Sequence, residues 1–236
     1  IGQFFWLMSK KGNLGFIKFY NERAVDFLDD PDSHVLRGSW GERIAWVEPD
    51  VLKRLRNSSS TRRAVIPVYN YTEDVWGEGS KNLPCLALLQ LFIRGEYAPE
   101  LDMVVVMRSQ NVYGILPYDI FILTMYQEWL AVQLGVGLGV YTHFMTSAHV
   151  FSSDIEKIPV LPLRLSSPPF LQMSQISLQG LLEREERIRT RDLLSRSIPG
   201  DLDFFGHYWG RLLKLTWQRR LGQPATYRDF PLEEHV

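Results

Sequence analysis

One cysteine, Cys85, stands in a chain of 236 residues. A lone thiol cannot close an intrachain disulfide, so no disulfide framework supports the fold, and any chemical role for Cys85 is that of nucleophile or ligand. Charge of one sign is also lacking. Lysine and arginine number 26 against 27 aspartates and glutamates, a formal net charge of −1, so no global basic field recruits nucleic acid and any phosphate binding must be local. No apolar run reaches the length of a membrane span; Val132 to Val140 is a glycine-spaced apolar stretch that reads as core. Low-complexity linkers and internal repeats are missing, which leaves residues 1–236 as a single domain, and no metal centre is expected. The free thiol and the lack of a visible signal peptide fit a reducing, cytoplasmic compartment. Because the chain opens without methionine inside an apolar pattern, a longer natural N-terminus is expected.

What is present is a large apolar fraction, 45% of residues, enough for a full core. Residues 4–28 mix aromatic and aliphatic positions at helical spacing around Lys10-Lys11-Gly12-Asn13, which predicts two helices about a turn. Val51 to Leu55 predicts a further short helix. Arg62 to Val68, Leu86 to Arg94 and Leu101 to Met107 read as strands, the last two forming a hairpin through Gly95-Glu96-Tyr97-Ala98-Pro99. Ile120 to Leu134 is nearly continuous in apolar helix formers and predicts a buried helix. From Glu183 to Arg196 a charge-rich run predicts a solvated helix with i,i+4 pairs, and Arg211 to Arg220 a basic one. The expected fold class is α+β, a mixed sheet covered by helices.

Leu83-Pro84-Cys85-Leu86 precedes Met107-Arg108-Ser109-Gln110-Asn111, then Leu116-Pro117-Tyr118-Asp119, then Ser147-Ala148-His149-Val150-Phe151. Upstream, Arg62-Arg63 precedes Ala64-Val65-Ile66-Pro67-Val68 and Tyr69-Asn70; Phe4-Phe5-Trp6-Leu7-Met8, Gly12-Asn13-Leu14 and Trp40-Gly41-Glu42-Arg43 come earlier still. Each fragment is common by itself. In this order the set resembles the thymidylate synthase and pyrimidine-nucleotide hydroxymethylase superfamily over about residues 1–155, with residues 156–236 divergent.

The resemblance implies a homodimer, joined through the sheet, with shared active sites. It implies a cytidine monophosphate substrate, CMP or dCMP, and 5,10-methylenetetrahydrofolate as one-carbon donor. Cys85 is then the nucleophile that adds to pyrimidine C6. Arg108 and Ser109 hold the substrate phosphate, Arg62 and Arg63 reach across to the partner's phosphate, and His149 and Phe151 lie at the sugar. Val25, Asn111, Gly114 and Tyr118 fall on the folate side, Trp40 near the cysteine. A guanidinium beside the thiol favours thiolate, and forked donors suit a dianion.

Departures from the family pattern sharpen the reading. Asp119 stands where thymidylate synthases carry asparagine. An amide complements uracil, whereas a carboxylate accepts from the cytosine amino group and from a protonated N3. An ordinary helix N-cap is the bland alternative for Asp119. The tryptophans of the family's Ile-Trp-x-x-Trp motif are replaced in Val25-Asp26-Phe27-Leu28-Asp29, and acidic groups in that space are expected to order a water, favouring hydroxymethyl over methyl product. Gln3 replaces a glutamate that organises catalytic water and cannot titrate; Asn111 replaces a folate-contacting aspartate; Trp40 and Phe151 replace tyrosines. A methylating synthase and a catalytically impaired nucleotide-binding homologue are the competing readings; no basic and aromatic stripe supports RNA binding.

Overall fold

The computed structural model of the chain describes residues 2–76, 79–158 and 178–190. Its centre is a sheet in which β1 (Val65–Pro67), β2 (Leu86–Arg94) and β3 (Glu100–Met107) run antiparallel, while β5 (Gly137–Met145) lies parallel to β3. The β2–β3 hairpin forms where expected, its turn opened by Gly95 at φ 90°, a conformation that glycine adopts without a Cβ penalty. Alternation is clean on β3. Leu101, Met103, Val105 and Met107 are fully buried, and the residues between them are partly exposed, as the period of two requires.

Helices close the buried face. α1 (Gly2–Met8) and α2 (Leu14–Tyr20) flank the turn at 9–13, where the Asn13 side chain accepts from Phe16 N, a standard cap. α3 (Trp40–Ala45) and α4 (Glu48–Asn57) follow, the latter longer than Val51 to Leu55 because Glu48, Pro49 and Asp50 build its first turn. A short α5 (Tyr71–Asp74) caps with Asn70. The long α6 (Leu116–Leu134) begins one turn earlier than Ile120, with Pro117 in its first turn.

Three sequence expectations change. Arg62 to Val68 is not a full strand: only Val65–Pro67 pair with β2, and both arginines precede the ladder. Val132 to Val140 is not one core stretch. Gly135, at φ 69°, ends α6 in the left-handed conformation, and β5 starts two residues later. The charge-rich run does form α7 (Leu178–Arg189) with an i,i+4 pair from Arg189 Nε to Glu185 at 3.0 Å. Yet Glu185 is buried, not solvated, and accepts from the Tyr20 hydroxyl at 2.6 Å, which docks α7 on α2. The expected basic helix at Arg211 to Arg220 and the run beyond Thr190 lie outside the described residues.

A two-stranded pair, β4 (Gln110–Asn111) with β6 (Ala148–His149), extends beyond the main sheet and turns the chain into α6. That pair places the functional segment. Among the described residues, no helix is long and apolar enough to cross a membrane.

Candidate active site

Cys85 sits immediately before β2, and Arg108 immediately after the paired end of β3, so the hairpin register brings them together. Arg108 N donates to Cys85 O at 2.9 Å. The guanidinium then reaches back: Nε donates to Pro84 O at 2.9 Å and Nη2 to Leu83 O at 3.3 Å. Its partners are carbonyls rather than a carboxylate, so its charge stays available to an anion. The Tyr69 ring lies 5.8 Å from the guanidinium carbon.

Both residues line a cavity of about 440 Å³ together with Gln3, Trp40 and Asp119. Trp6 and Phe27 supply aromatic wall, Ile115 and Ile122 aliphatic wall, and Lys81 and Asn82 polar rim. The volume is that of an ordinary small-molecule site, with few polar groups on an apolar lining. Cys85 is half-buried, and burial pushes its thiol up; Arg108 opposes that rise and Asp119 adds to it. The expectation that Arg108 alone favours thiolate therefore holds for its contribution, while desolvation dominates the sum.

Asp119 is buried in the first turn of α6, its N–H bonded to Ile115 O at 3.1 Å. Ile115, not Asp119, is the N-cap residue, which removes the bland alternative for this carboxylate. Burial pushes its pKa up to about 6, against a hydrogen bond from Gln110 Nε2 at 2.8 Å that favours the charged form. Gln110 in turn meets His143, and His143 meets Tyr141. Sequence reading passed over Gln110, His143 and Tyr141: the first served only as the variable position between Ser109 and Asn111, and the other two lie beyond Val140, where the stretch read as core ended.

Other expected site residues lie apart from the cavity. Arg62 and Arg63 are exposed at the approach to β1 and do not line it. Ser109 is half-buried beside Arg108, and His149 and Phe151 pack edge to face at 5.2 Å on the far side of β4. Asn111 does not present its carboxamide oxygen: Oδ1 accepts from Tyr113 N at 3.0 Å and Gly114 N at 2.9 Å, shaping the turn into α6. Val25 and Tyr118 are exposed, and neither lines the cavity. Nor do Asp26 and Asp29. Asp26 pairs with Arg23 at 3.4 Å on the surface, and Asp29 accepts from Ser80 Oγ at 2.8 Å and Lys81 N at 2.6 Å. Neither carboxylate reaches the cavity, so the expectation that they order a water there is not met, and Phe27 lines that wall instead.

The sequence profile of the family described as thymidylate synthase matches residues 6–192. The chain belongs to the thymidylate synthase family. Among curated relatives, a deoxyuridylate hydroxymethyltransferase of Bacillus phage SP01 is 24% identical over 196 residues, covering 73% of this chain and 50% of the relative. A second, of Pseudomonas phage M6, is 22% identical over 173 residues, covering 69% and 47%. A putative thymidylate synthase of Methanocaldococcus jannaschii is 30% identical over 105 residues, 43% of this chain and 45% of that one. The chain thus spans about half the length of these relatives. In structure it is similar to the thermostable thymidylate synthase A of Bacillus subtilis, with TM-score 0.57 at 18% identity, over 66% of this chain and 58% of that one. The α+β thymidylate synthase fold is thereby shown, and one-carbon transfer is the chemistry of the family.

Proposed function

We propose that this family member hydroxymethylates C5 of a cytidine monophosphate, CMP or dCMP, with 5,10-methylenetetrahydrofolate as donor. The observation that carries the reading is the convergence of Cys85, Arg108 and Asp119 on one apolar-walled cavity. Cys85 Sγ, once deprotonated, bonds to pyrimidine C6, and the C5–C6 electron pair moves into the ring so that C5 becomes nucleophilic. Arg108 and Ser109 take the phosphate. Asp119 accepts from the N4 amino group and stabilises a proton at N3, which makes C6 more electrophilic. The aromatic wall of Trp6 and Phe27 fits a flat heterocycle, and that is the side assigned to the folate, which supplies a one-carbon unit when bound, while Trp40 is assigned to the substrate beside Cys85. Val25, Asn111, Gly114 and Tyr118 then belong to the folate side as supporting rather than lining groups. C5 would bond to the donated one-carbon unit and lose its proton to solvent as tetrahydrofolate leaves, giving an exocyclic methylene on the Cys85-bound base. Gln3 lines the same cavity and holds a water by its amide; the water adds its oxygen to that methylene and releases a proton, and the electron pair returned to C5 re-forms the C5–C6 double bond and expels the Cys85 thiolate. His149 and Phe151 are assigned to the sugar.

Hydroxymethyl rather than methyl product is supported by the phage relatives, whose names state deoxyuridylate hydroxymethyl transfer. The archaeal putative thymidylate synthases favour the second reading, C5 methylation. A homodimer with shared sites is supported by the outer sheet face, where Leu88, Val104, Val106 and Phe144 are only partly covered, and by Arg62 and Arg63 standing outside their own chain's cavity.

The deciding experiment is mass spectrometry of products from the protein with tetrahydrofolate, formaldehyde and an equal mixture of CMP, dCMP, UMP and dUMP. Gain of CH2O on one cytosine nucleotide is expected and names its sugar. Gain on a uracil nucleotide overturns the base assignment, gain of CH2 selects methylation, and binding without product marks a catalytically impaired homologue. Cys85→Ser is expected to lower turnover at least 10³-fold with nucleotide binding retained, as loss of a covalent nucleophile does.

A further inference from the structure

Behind Asp119 stands a row of side chains that do not line the cavity. Tyr141 and His143 are two residues apart on β5, so both project from the inner face of the strand. Gln110, buried on β4, bridges them to α6. The contacts are Tyr141 Oη to His143 Nδ1 at 2.7 Å, His143 Nε2 to Gln110 Oε1 at 3.1 Å, and Gln110 Nε2 to Asp119 Oδ2 at 2.8 Å.

The donor and acceptor roles in this row are not free. Only the amide N–H end of Gln110 can face a carboxylate, so its oxygen faces His143 and can only accept. Nε2 of His143 therefore carries a hydrogen. Burial depresses proton uptake by this ring, so Nδ1 keeps its lone pair and Tyr141 must donate to it. Burial and the nearby Asp119 charge keep the Tyr141 hydroxyl protonated. Every hydrogen in the row points toward Asp119. The opposite polarity needs a proton on Asp119 Oδ2, a turned Gln110 amide and an acceptor for the Tyr141 hydrogen. Among the described residues, Tyr141 Oη has no partner other than His143.

We propose that Tyr141 and His143 are positioning residues that, through Gln110, hold Asp119 Oδ2 as an obligate acceptor and thereby set which pyrimidine the site prefers. The proposal rests on the reading of Asp119 as the group that meets the base. With Oδ2 fixed as acceptor, a proton taken by Asp119 resides on Oδ1, and the carboxyl shows one donor and one acceptor in a set order. Cytosine and uracil present opposite orders at N3 and the C4 substituent, so a set order discriminates between them. A carboxyl whose proton sits on either oxygen accepts both. Among the described residues, the other ionisable groups lining the cavity with Asp119 are Cys85, Arg108 and Lys81, and none of them belongs to the row.

The test is equilibrium titration of the full chain with CMP, dCMP, UMP and dUMP at pH 7.5, for wild type, Tyr141→Phe, His143→Leu and Asp119→Asn, with folding checked by thermal melting. Tyr141→Phe and His143→Leu are expected to move the cytosine-to-uracil Kd ratio toward unity about tenfold. Nitrogen chemical shifts of His143 are expected to show the Nε2–H tautomer in wild type, a readout that needs no ligand. A changed ratio in Asp119→Asn with unchanged ratios in the other variants overturns this proposal and leaves the base-reading role intact. An unchanged ratio in Asp119→Asn overturns both. An Nδ1–H tautomer in wild type overturns the proposed polarity of the row, whatever the ligand results.

Discussion

Asp119 carries a cost that a purely structural residue would not. Its carboxyl is buried, and that burial pushes its pKa up from 3.8 to about 6. The native state thus binds this proton more tightly than the unfolded chain, and the contribution of Asp119 to stability falls as pH rises from about 3.8 through about 6. Asn in its place has no charge to desolvate and still offers an oxygen to Gln110. Asp119→Asn is therefore expected to raise unfolding stability at pH 7.5 on the order of 2 kcal/mol. That advantage should disappear below about pH 4, where the wild-type carboxyl is protonated in both states. Denaturant titrations at the two pH values measure it. A residue kept at this expense while lining the cavity is what a functional carboxylate looks like.

At the scale of elements, one buried polar side chain ties α6 to two strands of the sheet. Gln127, buried at 1% exposure, directs Nε2 to Leu101 O at 2.7 Å on β3 and to Val140 O and Gly139 O at 3.2 and 3.3 Å on β5. These carbonyls flank the irregularity between Leu101 and Met103 in the β3–β5 register. Asp102 Oδ1 accepts from Val140 N at 2.7 Å at the same place, and a Cβ on Gly139 would clash with that oxygen. Gln127→Leu is expected to cost about 1–3 kcal/mol of stability, because buried carbonyls lose their donor without gaining water. Since α6 carries Asp119 and β5 carries His143, hydrogen exchange at Val140 to His143 should accelerate in that variant.

Among the described residues, helices cover one face of the sheet and the other is partly open, with Phe144 57% exposed. The shared-site reading makes a direct prediction. Arg63→Ala and Cys85→Ser chains, each inactive as pure homodimers, are expected to regain up to about half of wild-type activity per mixed dimer after subunit exchange, since one of two sites then holds both an intact thiol and an intact arginine. No recovery after verified exchange removes the shared site. Elsewhere the molecule is braced by ions drawn inward: Arg43 donates to both Asp74 oxygens and to Val68 O, and Lys10 pairs with Glu48 beneath the Tyr126 hydroxyl. Such pairs are costly to break singly, because the remaining charge stays buried.

The sequence by itself determined the hairpin, the buried helix, the order of Cys85, Arg108 and Asp119, and the family they resemble. Those features are local, or follow chain order, and periodicity and turn chemistry report them directly. Strand β5 was hidden because its inner positions carry Tyr141 and His143 and its start follows a glycine cap, so neither alternation of simple apolar residues nor a turn motif announced it. Tertiary structure alone decided that Glu185 is buried, that Asp29 binds the loop at Ser80, and that Asn111 shapes a turn. It also decided that a glutamine from β4 and a histidine and a tyrosine from β5 line up behind Asp119. Those outcomes depend on which distant groups a fold brings within hydrogen-bond reach, and no spacing along the chain encodes that distance.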